Sequence, residues 1–158
     1  MLQRMVRAVS RSERGAAAVE MALVLPLLVV LGLGAAELAR TIWQYQVVTK
    51  GVRDGVRYLT RVPVTCAGGV GTFNDGNDPI VAENLVKSGT KTSSTPILPT
   101  YADADFDIVV TCNDDEDLGE VRLIRMTVVF PFDELFAGFL GLSDLTFNIT
   151  HEQIHVGE

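Results

Sequence analysis

The sequence predicts an α+β fold in which one long N-terminal helix packs on a small antiparallel β-sheet. Three observations predict it: a long apolar segment near the N-terminus, an apolar stripe of helical period beyond it, and later segments in which polar and apolar residues alternate. With 158 residues, the chain has room for one domain and an anchor. We therefore divide it into a basic leader (1–15), a helix (16–61) and an acidic α+β module (62–158).

The apolar segment covers residues 16–36, where Glu20 is the only charged residue. A helix of this length rises about 31 Å, which is enough to cross the hydrocarbon core of a bilayer. The alternative is a buried core helix of a soluble protein, which usually has a shorter apolar run. No Ala-x-Ala-like cleavage motif follows the segment before Glu37, unlike an ordinary secretory signal. We therefore predict a single transmembrane helix.

Charge is distributed unequally along the chain. Residues 1–61 carry nine basic and four acidic groups, whereas residues 62–158 carry four basic and sixteen acidic groups. The acidic module would repel phosphates, so no nucleic-acid partner is expected. Positive charge beside the first apolar segment stays in the cytoplasm, which predicts a cytoplasmic N-terminus and a module on the other side of the membrane.

The helix is predicted to continue beyond the membrane as far as Arg61. Apolar residues recur there at steps of three and four, which is typical of one helix face; they are Leu38, Ile42, Tyr45, Val48, Val52, Val56 and Leu59. Gly51 and Gly55 each lower helix propensity by about 1 kcal/mol relative to Ala, and a closely packed neighbour would explain them. Pro63 ends the helix at the latest.

The module is predicted to contain one short helix and several strands. A Gly-rich loop (67–71) and a turn precede the helix, in which Asp78 is the cap, Pro79 the first residue and Gly89 the end. After a Thr/Ser/Pro linker (91–100), strands are predicted at 102–110, 121–130 and 145–150, and an apolar helix or hairpin at 132–142. The apolar face of the sheet needs a helical cover, and the N-terminal helix is the obvious one.

The chain has two cysteines, Cys66 and Cys112, both in the module. In an oxidising compartment an even pair favours a disulfide, which would stabilise the fold by about 4 kcal/mol in the chain-entropy model. The alternative is two buried thiols, because spacing alone does not fix the geometry. Two cysteines without further Cys or clustered His do not make a zinc site.

The N-terminal sequence resembles that of a known family. Residues 11–26 (RSERGAAAVEMALVLP) look like the start of the TadE-like (TadE/TadG) proteins of the Tad (Flp) pilus apparatus, and residues 37–40 (ELAR) and 55–58 (GVRY) are similar to that family too. The resemblance implies that a prepilin peptidase cuts after Gly15, so that Ala16 becomes the new N-terminus and Glu20 the fifth residue. Met21, where major Tad pilins usually have an aromatic residue, and the large outer module favour a minor component.

The same resemblance implies a pilin-like layout of the α+β fold, partners and a location. The partners would be the membrane, a prepilin peptidase, other pilins and the Tad assembly-platform proteins. The location would be the bacterial inner membrane, and the role would be structural, as a minor pilin or pseudopilin in pilus assembly. An uncleaved, anchored extracytoplasmic binding protein is the alternative with the same topology.

Glu20 is costly within an apolar helix. A carboxylate in lipid costs about 3 kcal/mol on insertion scales, which indicates a function and a partner. The predicted partner is the free ammonium of Ala16, of the same or a neighbouring subunit; the alternative is a side chain that reaches the headgroups. Helices associate in lipid through small residues and polar contacts. We therefore predict that this helix is the assembly surface, with Pro26 as a point of local bending and Gly32 and Gly34 as packing positions.

Two further patterns suggest metal chemistry. His151, Glu152 and His155 satisfy the His-Glu-x-x-His pattern of zinc peptidases, which requires a helix. Here the pattern continues a strand, on which the two rings would lie about 13 Å apart, so no catalytic residue is predicted and a zinc peptidase remains the rival function.

The acidic turn at residues 113–117 is the candidate site for Ca²⁺, with Asp114, Asp115 and Asp117 as ligands. Its alternative is a solvated turn. Asp103, Asp105 and Asp107 are instead predicted to be the solvated face of a strand. No other cofactor is expected.

Overall fold

The computed structural model describes residues 12–93, 95–115, 119–131 and 146–156, with only the backbone given for residues 12–14 and 114–115. The chain divides into two compact units, Met1–Ala39 and Arg40–Glu158. The elements are α1 (Ser12–Leu59), β1 (Val64–Ala67), β2 (Val70–Phe73), α2 (Asp78–Ser88), a 3-10 turn (Pro99–Asp103), β3 (Asp105–Asp115), β4 (Gly119–Pro131) and β5 (Thr146–Ile154). The predicted α+β fold, a long helix and a small antiparallel sheet, is confirmed.

Helix α1 is 48 residues long and continues through Pro26. In the first unit its side chains are exposed: every large apolar residue between Val19 and Leu33 is at least 38% accessible. This stretch therefore has no cover within the described residues, which contradicts the alternative of a core helix buried in the same chain. An apolar surface of this length is instead what a lipid-facing helix presents.

In the second unit, α1 covers one face of the sheet. The strands follow the order β1-β2-β3-β4-β5, and every neighbouring pair is antiparallel. On α1, Val48, Val52, Val56 and Leu59 are fully buried. They share one hydrophobic cluster with the inward side chains of β4, which are Ile124, Met126, Val128 and Phe130. Side chains spaced three or four residues apart on α1 thus pack against every second side chain of β4 in a single core.

The predicted apolar stripe is buried only in its distal half. Leu38, Ile42 and Tyr45 are 61%, 49% and 45% exposed, so the sheet covers the stripe only from Val48 onward. The Tyr45 and Phe147 rings do contact each other in a T-shaped arrangement, with their centroids 6.0 Å apart. The physical reason is that β4 and β5 lie beside the last turns of α1, where Val48 to Leu59 occupy the available apolar area.

Three boundaries of the module differ from the predictions. The Gly-rich loop at 67–71 contains part of the β1–β2 hairpin, whose turn uses Gly68 and Gly69 at φ of 60° and 83°; only glycine adopts this conformation readily. Strand β3 begins at Asp105 because the preceding residues form a 3-10 turn that buries Tyr101. The expected acidic turn is shorter, since β3 extends to Asp115 and β4 begins at Gly119.

Helix α2 lies where a short helix was predicted, but its start differs. Asn77 is the N-cap residue and makes no side-chain cap hydrogen bond, so Asp78 is not the cap. Its carboxylate instead accepts a hydrogen bond from the Tyr58 hydroxyl. The C-terminus agrees with the prediction: Gly89 takes a left-handed conformation, and its N–H donates to the Leu85 carbonyl. The segment 132–142 lies outside the described residues.

Candidate functional site

The residues predicted for processing and assembly share one face near the start of α1. Gly15, Ala16 and Glu20, together with Val19 and Leu23, line the same shallow, open surface. All five are exposed. A Cβ built at Gly15 would have no heavy atom within 4 Å. The backbone at Gly15–Ala16 is therefore accessible from outside, although of the basic leader the structure describes only the backbone of residues 12–14 before it.

Glu20 has no hydrogen bond or ion pair among the described residues. The helix around it carries apolar, exposed side chains, so no cation of the described part of the chain lies beside its carboxylate. Gly32 and Gly34 are equally open, with nothing within 4 Å of an added Cβ. These positions are available for contact with another molecule, and their predicted role in helix packing stays a prediction.

The segment after the apolar run carries exposed aromatic residues. Trp43, the single tryptophan of the chain, is 52% exposed, and Tyr45 is 45% exposed. Trp and Tyr are enriched where membrane helices leave the bilayer, because their rings are partly apolar and partly polar. This signal was readable in the sequence from the position of Trp43, a few residues beyond the apolar segment.

Gly51 and Gly55 have the close neighbour that the sequence implied. A Cβ at Gly51 would lie 2.9 Å from the carbonyl oxygen of Val86, and a Cβ at Gly55 would lie 3.1 Å from Val86 Cγ2 and 3.2 Å from the carbonyl oxygen of Ala82. The neighbour is α2, which packs directly on the α1 backbone. At these two glycines, α1 and α2 therefore approach more closely than a Cβ would allow.

Beside this contact, Tyr58 and Asp78 form a polar pair between α1 and α2. The Tyr58 hydroxyl donates to Asp78 Oδ1 at 2.8 Å, and Asp78 is nearly buried. Burial, followed by this hydrogen bond and the charge of Asp78, raises the pKa of Tyr58 to about 12. The Lys91 ammonium lies 4.8 Å from the centre of the Tyr58 ring. No local pattern in the sequence marked this pair, because its members are 20 residues apart.

Cys66 and Cys112 are joined in a disulfide, with their Cα atoms 6.1 Å apart. The bond links β1 to β3, so the alternative of two buried thiols does not hold in this structure. Glu120 lies near the two sulfur atoms. Together the three residues form a group of potential metal ligands among the described residues. Because both sulfurs are in the disulfide, the group offers no thiolate to a metal.

The His-Glu-x-x-His pattern does not form a zinc site in the described structure. His151 and Glu152 lie on β5, and His155 follows the strand. Two of the three residues also have another contact: Glu152 pairs with Arg125, and His155 Nε2 lies 2.7 Å from the Val62 carbonyl oxygen. The helix that would bring both rings to one face is absent from this segment, as the alternating pattern predicted. Glu158, the remaining candidate ligand, lies outside the described residues.

The candidate calcium ligands are not tested by the structure. Asp114 and Asp115 belong to β3, with only their backbone described, and Asp117 lies outside the described residues. Asp105 and Asp107 are exposed on β3 and alternate with Phe106 and Ile108, which pack against the core. They form the solvated strand face that their spacing predicted.

Comparison with known proteins bears on α1. The model of the family described as "TadE-like protein" matches residues 15–57. No curated protein and no solved structure matches the chain. Within the described residues, a helix long and apolar enough to cross a membrane covers Gly15–Leu59. The matched segment thus coincides with this helix and begins at the glycine that the resemblance marks for cleavage.

Proposed function

We propose that this chain is a minor pilin or pseudopilin. The premise is that residues 15–57 match the TadE-like family model and form an apolar N-terminal helix, as expected of a membrane-anchored protein associated with Tad pili. The chain takes part in pilus assembly, at initiation or at the tip. The family match over residues 15–57 carries this proposal, because it covers both the transmembrane half of α1 and the half that packs on the module.

The proposed location is the bacterial inner membrane, with the N-terminus in the cytoplasm and the acidic module outside. The basic leader supports this orientation. The Cys66–Cys112 disulfide supports it independently, because disulfides persist in oxidising compartments such as the periplasm and the cell surface.

The proposed processing event is cleavage of the Gly15–Ala16 bond by a prepilin peptidase. A substitution at Gly15 can test this cleavage without disturbing the fold. Since nothing lies within 4 Å of an added Cβ there, a bulky or charged side chain at this position does not disturb the packing of the described residues. A change in processing would therefore report on recognition by the peptidase.

The test is co-expression of the full chain with a prepilin peptidase, followed by mass spectrometry of the N-terminus. We expect the 158-residue chain to lose its first 15 residues and the variant Gly15→Lys to remain uncut. Glu20→Gln, one turn further along the same helix, is the matched control and should be cut normally.

An intact N-terminus in the native pilus-producing cell would contradict the proposal. It would favour instead the anchored extracytoplasmic binding protein, which shares the topology and keeps its leader.

A further inference from the structure

A row of basic residues lies on the side of α1 that faces away from the sheet. Lys50, Arg53 and Arg57 follow at steps of three and four, and Arg61 continues the row in the turn after the helix. All four are exposed. At about 100° per residue, they lie on the opposite side of the helix from buried Val52 and Leu59. We call these four residues the basic stripe.

The charges of the basic stripe are not neutralised within the described part of the chain. The ion pairs found there for the outer unit join Lys87 to Glu83, Arg122 to Glu120, and Arg125 to Glu152. None involves the stripe. Asp54 lies beside it on α1 and is exposed, so this part of α1 keeps an excess of positive charge next to the strongly acidic module.

A complementary surface lies on the other side of the module. Asp105 and Asp107 are exposed on the face of β3 that points away from the core, and Asp103 is exposed just before the strand. Within the residues that the structure describes, these three carboxylates also have no ion-pair partner. We call them the acidic ridge.

We propose that the basic stripe of one copy of this chain binds the acidic ridge of a second copy. The two surfaces lie on opposite sides of the helix and sheet layers, so a copy cannot join its own stripe to its own ridge. The spacings match: Asp105 and Asp107 are about 7 Å apart along the strand, and Arg53 and Arg57 about 6 Å apart along the helix. At these spacings, each of the two guanidinium groups pairs with one of the two carboxylates.

The partner is another copy because each copy carries both complementary surfaces, the basic stripe and the acidic ridge. Residues 62–158 carry sixteen acidic and four basic groups, so neighbouring modules repel each other. A contact between stripe and ridge offsets this repulsion for each copy that is added. Because the contact joins two different surfaces, it is heterologous and extends copies in a row. The inference goes beyond the proposed function, since it requires neither leader cleavage nor pilus assembly.

The test measures energy transfer between donor- and acceptor-labelled copies of the full chain in phosphatidylcholine bilayers. The stripe variant is Arg53→Glu with Arg57→Glu, and the ridge variant is Asp105→Lys with Asp107→Lys. Wild-type association should weaken about tenfold between 50 mM and 500 mM salt. Each variant alone should associate about tenfold more weakly than wild type. An equal mixture of the two variants should recover association, because the reversed stripe of one then faces the reversed ridge of the other.

The matched control is Lys87→Glu with Arg122→Glu, which changes the net charge as much as the stripe variant does but lies off the stripe. It should keep most of the wild-type association, with any loss from the added negative charge well below that of the stripe variant, and circular dichroism should show the same folded content for every variant. Failure of the mixture to recover, unchanged association of the stripe variant, or an equal loss in the control would each overturn the proposal. Binding of the stripe to phosphatidylserine bilayers without self-association would assign it to lipid and overturn it too.

Discussion

At the scale of single residues, the Tyr58–Asp78 pair is a nearly buried polar contact between α1 and α2. Asp78 is only 9% exposed, and a carboxylate that loses water needs a hydrogen-bond donor in exchange. Tyr58 supplies it across the junction of α1 and α2. The pair thereby connects the end of the N-terminal helix to the start of the short helix of the module.

Tyr58→Phe removes this donor and leaves the Asp78 carboxylate unsatisfied. We expect the free energy of unfolding to fall by about 1–3 kcal/mol, measured by urea unfolding of the full chain in detergent micelles. Tyr45→Phe is the control, because Tyr45 is 45% exposed and the same hydroxyl loss there should cost little. Equal losses in both variants would contradict the role of the pair.

The same pair predicts how stability depends on alkaline pH. The pKa values of Tyr58 and Tyr101 are raised to about 12, for Tyr58 mainly by burial and then by Asp78, and for Tyr101 by burial. Folding therefore favours the neutral phenols. Their contribution is fully present below pH 10 and is lost as the pH rises from 10 to 12. In Tyr58→Phe the loss over this range should be smaller than in wild type, because of these two phenols only Tyr101 then contributes to it.

At the scale of elements, the contact of α1 with α2 depends on Gly51 and Gly55. The two helices approach until backbone atoms meet, since a Cβ at Gly51 would lie 2.9 Å from the Val86 carbonyl oxygen. A backbone carbonyl within a helix cannot move aside as a flexible side chain can. Close packing of the two helices thus requires glycine at these positions, although glycine lowers helix propensity.

Gly51→Leu should therefore destabilise the module, by about 1–3 kcal/mol through overpacking, despite a gain of about 1 kcal/mol in helix propensity. Gly34→Leu is the matched control on the same helix, where an added Cβ meets nothing within 4 Å. Urea unfolding followed by near-UV circular dichroism measures both. A Gly51→Leu protein as stable as wild type would show that α2 does not pack as described.

At the scale of the whole molecule, the first unit exposes apolar residues and one carboxylate, whereas the second unit buries its core. Large apolar side chains between Val19 and Leu33 are at least 38% exposed, and Glu20 lies among them without a partner in the described residues. A lone carboxylate in lipid requires a cation or a proton. In the proposed function, the ammonium of Ala16, which is freed by leader cleavage, supplies the cation.

Glu20→Gln and Glu20→Leu should therefore leave membrane insertion and leader cleavage intact but abolish pilus production. The measurements are membrane fractionation, mass spectrometry of the N-terminus and electron microscopy of pili. Asp54→Asn is the control, because it removes an exposed carboxylate from the outer half of the same helix. Normal pili in both Glu20 variants would exclude the ion pair with Ala16 as the mechanism of assembly.

The sequence by itself determined the elements whose signal is local. An apolar run with one charge and a stripe at steps of three and four predicted α1; the alternation of polar and apolar residues predicted most of β3, β4 and β5; and the family resemblance marked Gly15 and Glu20. Each of these signals repeats within a few residues, because side-chain direction follows backbone period. The two cysteines were readable as a pair for a different reason, since the chain has no third candidate.

Only the tertiary structure decided which segments meet. It placed α2 on Gly51 and Gly55, joined Tyr58 to Asp78, formed the β1–β2 hairpin from a Gly-rich stretch, and left Leu38 and Ile42 uncovered. It also set the basic stripe and the acidic ridge on opposite sides of the module. These features depend on contacts between residues far apart in the chain, and such contacts are chosen by how much apolar area each arrangement buries, which no local pattern records.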